Sequence, residues 1–268
     1  MRATAVRSTV LSASAVTLTL LVTACGGGGG EGGDEKAKGT AAASEKPAAK
    51  ALSAAELDKL VVTTADLKGE TAAKPGKDDV ADPDTVSVDK AECEPVAKAL
   101  RALPVAEPAA STQRLVTLES AAAKKGMPSM EELAQMSEKE AEEATIDSLD
   151  ITKTMTSLWS YDADGAEQAL AAIREAGEQC AGGFALTDDG EKGQVTGIVT
   201  DKISAGEDAV AWTVQEKVDG EQVETKVAVF RQGSTLAGFS SFNIAAVTRG
   251  DAFDQPTAVI EAQAAKLG

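Results

Sequence analysis

Histidine is absent from the 268 residues, and with it go His-based catalytic triads, imidazole metal sites and the commonest general base. Aromatic residues are scarce, 3% against 43% hydrophobic residues in all, so alanine and valine must supply most of any core. No apolar run reaches the roughly 20 residues that a membrane-spanning helix needs. Basic residues are outnumbered 26 to 43, for a formal charge of −17. Such a surface repels phosphate backbones and anionic polymers, which argues against nucleic acid as a partner and otherwise serves solubility. Cysteine occurs only at Cys25, Cys93 and Cys180.

The first of these cysteines closes an export signal. Arg2 and Arg7 form a basic start, Thr9 to Val22 is mildly apolar, and Val22-Thr23-Ala24-Cys25 resembles the bacterial lipobox. That resemblance implies cleavage after Ala24, with Cys25 as the lipidated first residue of the mature protein. An ordinary secretory signal ending near a cysteine is the competing reading. The apolar stretch, about 14 residues, would cover only about 21 Å as a helix and cannot stay as a transmembrane anchor. The expected attachment is therefore lipid, two acyl chains holding where one would not. Residues 25–50, with Gly26 to Gly30 in a row and no large apolar side chain, read as a disordered tether spanning roughly 25–30 Å. These glycines lack the flanking strand, helix and Lys-Ser/Thr pair of a phosphate loop.

Residues 51–268 are long enough for one extracytoplasmic domain. Cys93 and Cys180 remain as an even pair in an oxidising compartment, which suggests one disulfide; two unpaired buried thiols are the alternative. Their link would close a loop of about 88 residues, for which chain entropy gives roughly 4.6 kcal/mol. Ser53-Ala-Ala-Glu56 is a capping box for a first helix, and Pro95 suits the first turn of a second that runs to about Leu103. Lys68 to Asp84 reads as loop, Thr112 to Leu118 as strand, and Ser129 to Ala144 as one exposed helix, an insertion. Ser148 to Ser160 alternates, placing Leu149, Ile151, Met155 and Trp159 on one buried face opposite mostly threonine. A helix follows, capped by Asp162 or Asp164 and turning Cys180 inward. Period-two patterning from Phe184 to Asn243, with Asp219-Gly220 as a hairpin turn, gives an antiparallel meander, and Pro256 opens a last helix. The expected class is α+β: an antiparallel sheet of about six strands with helices packed on one face.

Catalytic constellations are few. Ser87-Val-Asp-Lys90 and Ser241-Phe-Asn243 fit two spacings of penicillin-recognising enzymes, but the Lys-Thr-Gly strand is missing. Asp162-Ala-Asp164-Gly165 starts like a calcium loop and lacks its later ligands, so helix capping is the better reading. No catalytic, cofactor or metal residues are assigned. Trp159, Tyr161 and Trp212 are core candidates that could instead stack on a ligand.

An early Ala-Glu-Leu helix, Cys93 at the second helix, a strand feeding the helix from Trp159 to Cys180, and Val229-Phe-Arg-Gln-Gly-Ser234 before a final helix resemble actinobacterial sensor-type lipoproteins. These are similar to the extracellular sensor domains of mycobacterial serine/threonine kinases. Over 52–267 the resemblance implies a disulfide-braced, cleft-bearing α+β domain that binds an extracellular ligand. The chain has cysteines for one bridge where those domains have two, so no cleft residue is carried over. The expectation is a non-catalytic, lipid-anchored sensor or ligand-binding domain on the outer face of the cytoplasmic membrane. Its expected partners are that membrane and an extracellular small molecule or envelope component. The alternatives are a structural or protein-interaction lipoprotein and a His-independent hydrolase.

Overall fold

The computed structural model describes residues 49–268; the signal segment, Cys25 and nearly all of the tether lie outside the described residues. Helix α1 (Ala54–Leu60) opens where Glu56 accepts a 2.8 Å bond from the Ser53 N–H, the return arm of a capping box. Strands β1 (Glu70–Ala73) and β2 (Ser87–Val88) then flank a Pro- and Asp-rich crossing. Helix α2 (Glu94–Leu100) leads to β3 (Ala110–Glu119), followed by α3 (Met130–Leu133), α4 (Glu138–Asp147) and β4 (Ile151–Ser160). Helix α5 (Gly165–Gln179) precedes a meander of β5 (Phe184–Asp188), β6 (Glu191–Thr200), β7 (Asp208–Val218), β8 (Glu221–Gln232) and β9 (Thr235–Asn243). The chain ends in α6 (Ile244–Arg249) and α7 (Thr257–Leu267).

All nine strands form one antiparallel sheet in the order β1-β3-β4-β9-β8-β7-β6-β5-β2, three more than the sequence suggested. The additions are mainly short edge strands: Glu70-Thr-Ala-Ala and Ser87-Val carry no alternating apolar signal. Two meander hairpins turn on Asp189-Gly190 and Asp219-Gly220, with φ of 48° and 81° in the first and 50° and 92° in the second. Both residues at positive φ make the turn match the twist of its strands.

Helices cover both faces, not one. The front face carries α2 and α5 over Trp159, Phe184, Trp212, Val214, Val227, Val229 and Leu236. The rear face carries α1 and α7 over Val116, Leu158, Ala228, Phe230 and Phe239. Central strands are accordingly apolar on both sides, as in the buried run Val227-Ala228-Val229-Phe230. The threonine side of β4 is likewise buried: Thr156 is 0% exposed with its hydroxyl unpartnered among the described residues, whereas Thr154 and Ser241 share a 2.7 Å hydrogen bond. A hydroxyl that bonds inward satisfies itself in the core, so the polar-looking alternation did not mark a solvent face. The single expected helix at Ser129 to Ala144 is also two, because Ser129 and Ser137 each start a capping box with Glu132 and Glu140.

On the front face Cys93 and Cys180 are joined by a disulfide with Cα atoms 5.8 Å apart, tying the start of α2 to the end of α5. Two glycines make room for the tryptophans of this face, Gly177 on α5 and Gly238 on β9. A Cβ on Gly177 would meet the Trp212 ring at 2.3 Å, and one on Gly238 the Trp159 ring at 2.4 Å. The chain enters this unit at the α5 end of β4. There the Ala49 carbonyl accepts from Ala163 N–H (2.7 Å), and Leu52 N–H donates to Ser160 Oγ (2.9 Å).

Candidate functional site

Helices α2 and α5 cover only the half of the front face nearest the chain's entry. On the central strands a polar residue interrupts the apolar front-facing positions where the helices end. Trp212 and Val214 give way to Glu216, Val229 and Val227 to Thr225, and Leu236 and Gly238 to Ser240. Met155 is followed outward by Lys153. This open half is a groove of about 1060 Å³. Leu115, Met155, Phe242, Leu186 and Val218 form an apolar floor, and Lys77–Asp82 with Thr85 forms a strap above it.

Topology makes the strap obligatory. Strand β1 lies at one edge of the sheet and β2 at the other, so residues 74–86 must cross the whole sheet. Eight strand spacings come to about 38 Å, and about 13 residues reach roughly 43 Å. Pro75 and Pro83 stiffen that span.

The inner wall is the end of α2. Its last carbonyls, orphaned by helix geometry, are met by sheet side chains. Ser240 Oγ donates to Leu100 O (2.7 Å), and Gln113 Nε2 and Ser157 Oγ donate to Ala102 O (3.0 and 3.1 Å). Arg101 projects over the sheet and holds two carboxylates, Asp188 through Nε at 2.8 Å and Glu216 through both terminal nitrogens at 3.2 and 3.0 Å. Burial alone would lower the guanidinium pKa, but Glu216, with Asp188, outweighs it and keeps the group charged. Glu216 is 3% exposed, so this bidentate pair is what makes its burial tolerable. Lys153, by contrast, has no hydrogen bond or ion pair among the described residues and lies free in the floor.

The motifs singled out in the sequence are not gathered here. Lys90 donates to Gly183 O (2.8 Å) at the β2 edge, whereas Ser241 is buried on the rear face against Thr154, so no Ser/Lys/Asn site forms. Asp162 accepts from Ala51 N–H and Asp164 from Gln168. Trp159, Tyr161 and Trp212 are core residues, 1%, 3% and 4% exposed. Among the described residues no group of three or more Cys, Asp or Glu is placed to hold a metal ion, and no helix is long and apolar enough to cross a membrane. The arrangement offers apolar contact, lysines at Lys77, Lys153 and Lys192, and a carboxylate rim, which is recognition chemistry.

No family model matches the chain, and no curated protein matches it. The chain is similar to a mycobacterial extracellular domain. The crystal structure of the extracellular domain of PknH from Mycobacterium tuberculosis aligns with 81% of this chain and 95% of that one, at 11% identity and a TM-score of 0.48.

Proposed function

We propose that this chain is an extracytoplasmic lipoprotein, anchored through Cys25, whose described domain binds an extracellular ligand in the strapped groove without turning it over. The observation that carries the reading is the groove itself: a sheet face deliberately left open, walled by a helix end and roofed by a strap. It lies at the end of the strands opposite the chain's entry, so an N-terminal anchor would leave it facing away from the membrane. The absence of histidine, the commonest general base, favours binding over turnover.

Two measurements test this. Cys25→Ser is expected to move the protein from membrane to soluble fractions, and a variant that stays with washed membranes at the wild-type level would overturn the anchor. For the groove, mass spectrometry of molecules retained by the purified chain supplies candidates. One that binds is expected to raise Tm, about 2.7 kcal/mol of stabilisation at a hundred times Kd, and to lose that effect in Met155→Trp, which fills the floor. A shift indifferent to Met155→Trp places binding elsewhere, and recovery of a chemically altered ligand overturns the non-catalytic reading.

A protein-interaction role is the second reading. It rests on the β3–β4 insertion, where Met127, Met130 and Met136 are 62%, 82% and 37% exposed. Stoichiometric cross-linking of one protein partner through that insertion, with no ligand response in the groove, would favour it.

A further inference from the structure

The groove's charges are unevenly placed, and the placement specifies a ligand. At the β5–β6 end, Asp189 and Glu191 face Asp78, Asp79 and Asp82 of the strap. Only Lys77 and Lys192 answer them there, since Arg101 is committed to Asp188 and Glu216. These carboxylates are too dispersed to hold a metal ion among the described residues, so they suit an extended organic cation with spaced charges. At the β4 end the sign reverses: Lys153 stands free beside its cross-strand partner Phe242, with Met155 and Leu115 adjoining. Between the two ends lies Thr225, 7% exposed, lining the groove with a hydroxyl that has no hydrogen-bond partner among the described residues. That hydroxyl is a hydrogen-bonding group that a molecule in the groove can reach. From β4 to β5 is five strand spacings, about 24 Å, the length of roughly seven residues of extended chain.

Resting on the binding role proposed above, we infer that the groove takes a short extended peptide with basic side chains. Its carboxylate lies toward Lys153, its apolar side chains on Leu115, Met155 and Phe242, and its cations at the strap and the β5–β6 turn. A peptide crossing the strands at right angles pairs with no edge, so side chains rather than backbone register give the specificity.

The test is calorimetric titration of the full chain with three hexapeptides: alternating lysine and leucine with a free carboxylate, the same peptide amidated at its C-terminus, and the glutamate–leucine counterpart. The first is expected to bind one to one, the amide roughly three- to fivefold more weakly, and the glutamate peptide not at all. Lys153→Met should erase the difference between acid and amide, and Lys153→Arg should restore it. Asp189→Asn with Glu191→Gln should weaken the lysine peptide by a similar factor per charge, as should raising salt. Equal binding of the glutamate peptide, or indifference of the lysine peptide to these substitutions, overturns the assignment. A Met155→Cys probe separates the two levels of failure. If an envelope extract protects that thiol from alkylation while the lysine peptide does not bind, the peptide class is wrong and the groove stands. Protection by neither overturns both.

Discussion

Glu70 occupies the first position of β1, 7% exposed, with Oε2 buried and unpartnered among the described residues. Burial pushes its carboxyl pKa above the ordinary value. The folded state therefore binds this proton more tightly than the unfolded chain does. The stability contributed by the group is full below the unfolded pKa and is lost as pH rises through the folded one. Glu70→Gln is expected to stabilise the domain by roughly 1 kcal/mol at pH 7 and by much less at pH 4, where the native side chain is already neutral. Urea melts at both pH values check it, and an equal effect at the two would show that charge is not the issue. The groove residues were as hard to read in sequence as Glu70. Lys153, Glu216 and Thr225 each sit where alternation assigns a core position, following Met155, Val214 and Val227 on the same faces. That polar interruption was the available signal. It becomes informative only once pairing shows the interruptions collecting at one end of the sheet, on strands far apart in the chain.

Among the elements, α2 has the largest consequence for its size. Its start is bonded through Cys93 to Cys180, and its end forms the groove wall through Arg101 and the Leu100 and Ala102 carbonyls. Replacing both cysteines by serine is expected to cost about 2–5 kcal/mol. The loss should be local in its first effect, with α2 amides exchanging faster while β8 and β9 keep their protection. Hydrogen exchange of the two forms checks this, and uniform loss of protection would mean the bridge acts only on the unfolded chain. Long, patterned elements were the legible ones: α1 with its capping box, α5 with its inward Cys180, and the Asp219-Gly220 hairpin all stand near their expected places. Strands β1 and β2 and helix α6 were not, because four, two and six residues carry too little periodicity to rise above loop composition.

At the scale of the whole molecule, covering both faces changes what the sheet can do. A sheet packed on one side has a solvent face. Here both sides are layered with helices, and a broad groove opens on the half of the front face beyond α2. The chain enters at the opposite end, where Lys50 O accepts from Ser234 Oγ in the β8–β9 turn. From Ser234 to Phe242 is eight residues, roughly 26 Å of strand. If Cys25 carries the lipid, the entry end is expected to be the one held toward the bilayer. A fluorophore at Ser234→Cys in vesicle-bound protein should then be quenched by a headgroup quencher more than one at Phe242→Cys. Vesicles of neutral lipid are the appropriate choice, because a strongly acidic protein is repelled by anionic ones and would be held away at both ends. Equal quenching at the two sites would mean that attachment does not orient the domain, and stronger quenching at residue 242 would place the groove against the membrane and out of reach of a soluble peptide.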